Sequence, residues 1–385
     1  MVTHLVPIEP QLIESLRTGH LATNLEELDR LLLPAAAALR AGELVAFPTE
    51  TVYGLGANAL DARAVARIFA AKGRPGDNPL IVHVASPADL EILTTGLTSL
   101  ARRLLRAFAP GPLTLILPRS ALVPDVVTAG LETVAVRIPA HPVARRLIEL
   151  AGVPVAAPSA NRSGRPSPTR AWHVEEDFKG VIPYIIDGGA CEFGVESTVL
   201  DLTGDVPVIL RPGAVTEDMI NAVAGTQQLE PGSEDSTTPD TSAPKSPGMK
   251  YRHYAPKARL DICDQNSSRE RAACFLTHLV HAGWNTSTPA LEGPLFGLYL
   301  CRETLDIFLQ LSGHKPGDTM PVNLALEIYA EHPDPEQAAH HLFNALRSFD
   351  RRGIRLILAE GLPPQGRGLA YMNRLGKAAG GGEPV

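Results

Sequence analysis

Residues 229–247, LEPGSEDSTTPDTSAPKSP, limit what the chain can fold into more than any other feature. Pro, Ser, Thr, Asp and Glu dominate them and almost nothing there can be buried, so they read as a flexible linker. Hydrophobic cores must form on either side. A length of 385 residues suits two domains, and the expected division is 1–225, a linker over 226–256, and 257–385. With 44% hydrophobic and 20% charged residues, a wholly disordered chain is excluded. No stretch approaches the roughly 20 apolar residues that cross a bilayer; the run over 31–39 is interrupted by Pro34. The start, MVTHLVPIEPQLIES, lacks a basic n-region and an apolar h-region, so secretion is not expected. Cys191, Cys263, Cys274 and Cys301 stand far apart with no CxxC pair. That spacing argues against a zinc ribbon or a disulfide framework, and for a reduced, cytoplasmic protein.

Before the linker, residues 25–39, 62–71, 97–108 and 142–151 have helical character. Short apolar or β-rich runs bounded by Pro and Gly fall at 43–47, 79–84, 112–117, 133–138, 153–157, 184–187, 197–202 and 206–210. This interleaving predicts an α/β domain with a twisted mixed sheet. After the linker, strands are expected at 259–263, 295–300 and 354–358, with helices over 269–282 and 335–350 between them. That spacing suits a smaller, Rossmann-like parallel α/β domain. Its first strand runs into Asp264-Gln265-Asn266-Ser267-Ser268 rather than a glycine-rich turn, which argues against a dinucleotide site; no organic cofactor is expected.

Charge narrows the partners. The formal net charge is −7, whereas a protein that grips duplex nucleic acid through phosphates carries a basic excess. The densest polar cluster is Lys72-Gly73-Arg74-Pro75-Gly76-Asp77-Asn78-Pro79. On an extended backbone Lys72 and Arg74 would project to one side, Lys as a point charge and Arg as a bidentate fork for a polyphosphate. A solvated Gly/Pro loop accounts for the same residues. No GxxxxGK[ST] sequence occurs, so a P-loop is excluded. Ser159 and Asn161 follow the strand-like VPVAA, where open α/β sheets place ligands; they either donate to phosphates or cap a turn. Arg137 ends TVAVRIP and needs a carboxylate, from the protein or from a ligand. His83 in PLIVHV suits a core position. Thr49-Glu50-Thr51-Val52-Tyr53-Gly54 and Glu196-Ser197-Thr198 put hydroxyls at strand–loop junctions, suited to recognising a small polar ligand; by themselves these are ordinary turn residues.

The joint pattern says more. FPTETVYGLGANA, KGRPGDNPLIVHV, PGPLTLIL, AVRIPAHP, PSANRSGRPSPT, DGG, ESTVLDL and ILRPGAV occur in one order at compact spacing. This set resembles the YrdC-like threonylcarbamoyl-AMP synthase family over residues 20–216. SPGMKYRHYAP and GLPPQGRGLAYMNRLGKAA resemble the long, two-domain form. The resemblance implies a YrdC-like catalytic domain over 1–225 and a nucleotidyltransferase reaction, L-threonine + bicarbonate (or CO2) + ATP → threonylcarbamoyl-AMP + pyrophosphate. Mg2+ would accompany ATP, held mainly by phosphates and water rather than by a protein metal site. A partner enzyme would transfer the threonylcarbamoyl group to a tRNA adenosine, with a weak tRNA contact allowed and no membrane involved. Position by position, Lys72 and Arg74 resemble the catalytic cations on the triphosphate. Asn78, Thr133, Ser159, Asn161, Ser167, Arg211 and Tyr254 resemble further ATP contacts. Thr51, His83, Arg137, the main chain at Ala157, and Ser197 resemble the threonine site. The segment around Tyr251, His253 and Tyr254 would cover the nucleotide pocket. Two other classes compete: an RNA-binding module using the Lys72/Arg74 cleft, disfavoured by acidity and few aromatics, and carbamoyl transfer from carbamoyl phosphate. Proteins with the latter chemistry carry acylphosphatase and zinc-finger segments that this sequence lacks.

Overall fold

Alternation along one short strand shows how the first sheet is built. Val45 and Phe47 belong to one apolar cluster and Ala46 to another, so successive side chains pack on opposite faces. Helices cover both. The computed structural model describes residues 1–18, 22–225, 230–231, 254–284, 296–314 and 323–380. The chain divides into two compact units, one of 1–163 and 167–251, the other of 164–166 and 252–385.

Among the described residues the first unit holds β1 (His4–Pro7), β2 (Val45–Phe47), β3 (Gly54–Asn58), β4 (Ile81–His83), β5 (Leu113–Pro118) and β6 (Thr133–Arg137). It continues with β7 (Val155–Ala156), β8 (Tyr184–Asp187), β9 (Thr198–Asp201), β10 (Val208–Arg211) and β11 (Glu230–Pro231). Their order is β1-β8-β2-β3-β7-β4-β6-β5-β9-β10-β11. The sheet is mixed: β4 and β6 are parallel, while β5 and β7 run antiparallel to β6 and β4 respectively. In the parallel ladder Ile81 faces Ala135 and His83 faces Arg137. The helix Ala22–Arg40 continues through Pro34 and buries Leu28, Leu32, Ala35, Ala36 and Leu39.

The helix Ala62–Lys72 has clear boundaries. The Asp61 side chain accepts from the Arg63 N–H at its start. Gly73 ends it in the left-handed region, φ 61°, where a side chain would be strained. Lys72 is therefore the last helical residue, not part of an extended loop.

In the second unit β12 (Arg259–Cys263), β13 (Phe296–Leu300), β14 (Leu324–Ile328) and β15 (Leu356–Glu360) form a parallel sheet in the order β12-β15-β13-β14. The β14 strand escapes the sequence pattern because all five residues are only half-buried and lack alternation. Glu360, fully buried at the end of β15, ties the sheet's carboxyl edge together. Its carboxylate accepts from Arg271 Nε at 2.7 Å, Thr304 Oγ1 at 2.6 Å, Cys301 N at 2.8 Å and Tyr329 OH at 2.7 Å. After β12, Ser267 and Glu270 form a capping box that starts the helix Ser268–His281. The structure corrects the cysteine reading: Cys263 and Cys274 are disulfide-bonded, with Cα atoms 6.0 Å apart. A strand end and the helix packed beside it bring together cysteines whose sequence spacing is no motif.

Gly213 sits where no side chain fits. A Cβ there would lie 2.6 Å from the Ser197 carbonyl carbon and would also meet the Thr198 nitrogen, both backbone. Gly213→Ala should destabilise the protein by about 1–3 kcal/mol through overpacking. Denaturant melts measure this, and an unchanged midpoint would mean that the two segments part without cost.

Candidate active site

Arg137, at the end of β6, is 4% exposed and held on three sides. Its Nη2 lies 2.6 Å from Glu50 Oε1, its Nη1 donates to Thr51 Oγ1 at 2.9 Å, and its Nε donates to the Gly111 carbonyl at 3.2 Å. Thr51 Oγ1 in turn lies 2.9 Å from Thr49 Oγ1. Thus the segment between β2 and β3 is fastened to the tip of β6 by a buried ion pair. Burial alone would raise the Glu50 carboxyl, but the charge and hydrogen bond of Arg137 hold it below the ordinary glutamate value. His83, opposite Arg137 in the ladder, is pushed down to about 3, first by burial and then by the Arg137 charge. It is neutral at pH 7.

A second group assembles at the end of the helix Ala62–Lys72. Lys72 is 4% exposed, and its Nζ donates to the Ser159 and Asn161 carbonyls, both at 2.5 Å. Ser163 N donates to the Lys72 carbonyl at 2.9 Å. The 158–161 segment also docks on the 53–55 segment: Leu55 N donates to the Pro158 carbonyl at 2.9 Å and Ala160 N to the Tyr53 carbonyl at 2.8 Å. Arg74 turns back on its own loop, donating to the Asn78 and Pro79 carbonyls at 3.4 and 3.2 Å. Asn78 is 1% exposed, and neither polar atom of its amide has a hydrogen-bond partner among the described residues. A buried amide left so is costly unless something completes it.

The third group lies beside β9. Ser197 Oγ meets Thr114 Oγ1 at 2.7 Å and accepts from Arg211 Nη2 at 3.1 Å, while Arg211 Nε donates to the Ser197 carbonyl at 3.1 Å. Ser167 Oγ donates to Glu196 Oε1 at 2.6 Å. The Gly111-Pro112 turn joins this group to the first, since the Pro112 carbonyl accepts from Thr198 N at 3.0 Å. Ala157 is buried, its N–H on the Ile81 carbonyl at 2.9 Å.

Register separates some of these residues. His83 and Arg137 pair at the carboxyl end of the β4–β6 ladder, whereas Thr133 opens β6 and Asn78 precedes β4. Four residues of strand put Thr133 about 13 Å from Arg137.

Two matches divide the sequence: residues 37–213 fit the family described as telomere recombination, and residues 215–380 fit the threonylcarbamoyl-AMP synthase C-terminal domain. A threonylcarbamoyl-AMP synthase of Pyrococcus abyssi is 49% identical over 347 residues, covering 90% of this chain and 93% of that protein. The chain belongs to the threonylcarbamoyl-AMP synthase family. Within that family, the Bacillus subtilis synthase is 46% identical over 366 residues, covering 94% of this chain and 96% of its relative. The crystal structure of P. abyssi Sua5 complexed with L-threonine superposes with a TM-score of 0.79 at 42% identity, covering 99% of this chain and 98% of that one.

Against the family pattern, the structure joins Thr51 to Arg137, Lys72 to Ser159 and Asn161, and Ser197 to Arg211. Tyr254 is placed in the second unit, with φ 66°, its ring 5.0 Å from Phe343 and the Arg374 guanidinium 5.9 Å over it. Tyr251, His253 and most of the 226–256 linker lie outside the described residues. Sequence reasoning gave no site role to Thr114 or to the carboxylates of Glu50 and Glu196. The FPTETVYG motif contains Glu50, but its burial against Arg137 is a tertiary fact.

The His83 shift has a pH consequence. The unfolded imidazole binds a proton below about 6.5, the folded one only below about 3. The unfolded state therefore holds more protons in that window, and stability falls as pH drops from 6.5 towards 3. His83→Gln should remove up to about 1.4 kcal/mol per pH unit from that slope. Denaturant melts at pH 7, 6 and 5 measure it; identical slopes in both proteins would show that His83 is not held neutral.

Proposed function

We propose that this chain is a nucleotidyltransferase that makes threonylcarbamoyl-AMP and pyrophosphate from L-threonine, bicarbonate (or CO2) and ATP. The observation that carries the reading is the near end-to-end identity of 49% over 347 residues to a protein named for that product. The geometry agrees with it. Arg137 and Thr51 are fixed together and suit an amino-acid carboxylate; His83, neutral beside them, adds no charge, and Ser197 and the Ala157 main chain complete the threonine set. Lys72, Arg74, Asn78, Thr133, Ser159, Asn161, Ser167 and Arg211 form the nucleotide set, to which Tyr254 is added by resemblance alone. The buried Asn78 amide, without a hydrogen-bond partner among the described residues, would be satisfied by a polar ligand.

The chemistry asks little covalent work of the protein. Threonine's free amine adds to CO2, giving a carbamate and releasing a proton. A carbamate oxygen then attacks the α-phosphorus while the bond to the bridging oxygen breaks and pyrophosphate leaves. Negative charge grows on the leaving group, so positioned cations and donors are the main requirement. Among the described residues no group of three or more His, Cys, Asp or Glu side chains could hold a metal ion. Mg2+ would arrive with ATP, held mainly by phosphate oxygens and water, and would neutralise triphosphate charge. Among the described residues no helix is long and apolar enough to cross a membrane. In the proposed setting, the cytoplasm, a partner enzyme passes the threonylcarbamoyl group to tRNA.

Incubation with ATP, labelled bicarbonate and single amino acids tests the reading. Pyrophosphate and labelled adenylate should both require threonine; pyrophosphate release indifferent to the amino acid would overturn it. Lys72→Ala and Arg74→Ala should each slow pyrophosphate release at least about tenfold to a hundredfold, by loss of a charge-assisted contact. Normal turnover in both would remove the phosphate assignment. Arg137→Ala would strand Glu50 as an unpaired buried charge, at about 3–5 kcal/mol. The kinetic test is therefore Arg137→Lys, which keeps the charge and loses the planar fork. It should raise the threonine KM far more than the ATP KM, and equal rises would point to a purely structural ion pair.

A further inference from the structure

Glu50 is a buried carboxylate that the reaction above does not use. It is 1% exposed, and its Oε1 is taken by Arg137 at 2.6 Å. Its Oε2 accepts a long hydrogen bond of 3.4 Å from His141 N, and the backbone of Ala140 and of Glu50 itself also favours the charged carboxylate. The titratable groups around it are fixed in charge at pH 7. Burial and Arg137 keep His83 neutral, burial pushes His141 down to about 4, and burial pushes the Cys191 thiol up. The cation in direct contact with Glu50 is Arg137, while Arg17 and Arg170 act on His141 and Cys191 only through space.

That balance limits what can enter. A carboxylate arriving alone on Arg137 would leave a net negative charge in a buried setting, which is expensive. A zwitterion would not. With its carboxylate on the Arg137–Thr51 side, an α-amino acid carries its ammonium a bond or two away, within reach of a carboxylate already pressed against that same arginine.

Resting on the threonine reading of this site, we propose that Glu50 is a specificity-determining residue: its carboxylate balances Arg137 and receives the substrate's ammonium group. The site thereby selects a zwitterionic amino acid over a carboxylic acid that lacks the amine. Glu50 is not a catalytic base here. Its contribution is made in binding, before the amine is freed to meet CO2.

The probes are L-threonine and (R)-3-hydroxybutyrate, the same skeleton without the amine, each titrated calorimetrically into the full-length protein. The unmodified protein should bind threonine about tenfold to a hundredfold tighter, the worth of one charge-assisted hydrogen bond. In Glu50→Gln that ratio should collapse to within about threefold, because threonine loses affinity while the amine-free acid does not. Glu50→Asp, which keeps the charge, should retain a preference for threonine. Equal affinities in the unmodified protein would overturn the inference without any variant, and so decide it even if Glu50→Gln fails to fold. A folded Glu50→Gln that keeps the full ratio would overturn it as well. If the unmodified protein binds neither probe and makes no threonine-dependent pyrophosphate, the threonine reading itself falls, and this inference with it. Threonine-dependent pyrophosphate with no discrimination between probes would sink the inference alone.

Discussion

The buried ion pair between Arg137 and Glu50 organises the first unit. It joins the tip of β6 to the segment between β2 and β3, and through the Gly111 carbonyl it reaches the turn that leads into β5. Two charges removed from water are stable together only if their geometry and remaining hydrogen bonds are good. Here Thr51, Gly111 and the His141 N–H supply those bonds. The ion pair is thus a constraint as much as a contact. Neither charge can be removed alone without stranding the other, and each loop it touches is held in one place.

Lys72 plays a comparable part with neutral partners. A helix end would ordinarily leave its last carbonyls to solvent. Instead the 158–163 segment docks there, donating from Ser163 N to the Lys72 carbonyl and receiving the Lys72 ammonium on two carbonyls of its own. A clamp imagined as an exposed pair of cations is in fact one buried and one half-exposed cation, each already engaged by backbone oxygen.

Sequence made the architecture legible where the pattern was local. The β-rich runs at 79–84 and 133–138 contain β4 and β6, the run at 112–117 misses only the last residue of β5, and β12, β13 and β15 fall within two residues of their expected bounds. The motif set led to the family. What stayed hidden depended on long-range contact. β1 pairs with β8 across more than 170 residues, and β14 lacks alternation because it is half-buried throughout. The Cys263–Cys274 bond needs a strand and a helix to be packed first. Glu50 stands between two threonines in an ordinary-looking turn; only burial against Arg137 distinguishes it. Glu360 in the second unit was equally silent, since its partners come from three separate stretches of chain.

The β4–β6 ladder separates His83 and Arg137 at one end from Asn78 and Thr133 at the other. Under the proposed reaction, threonine engages the His83 and Arg137 end, while the nucleotide set reaches from Asn78 and Thr133 to Arg211, which donates to Ser197. The adenylate, a threonine joined covalently to a nucleotide, is bivalent: when one half lets go, the other keeps it at high local concentration near the vacated half-site. Its escape requires both halves to release together. Residence time, rather than affinity for either substrate, is then the quantity that such two-ended binding would set. On the proposed reading, the spacing of two strand ends would keep a labile product at the site.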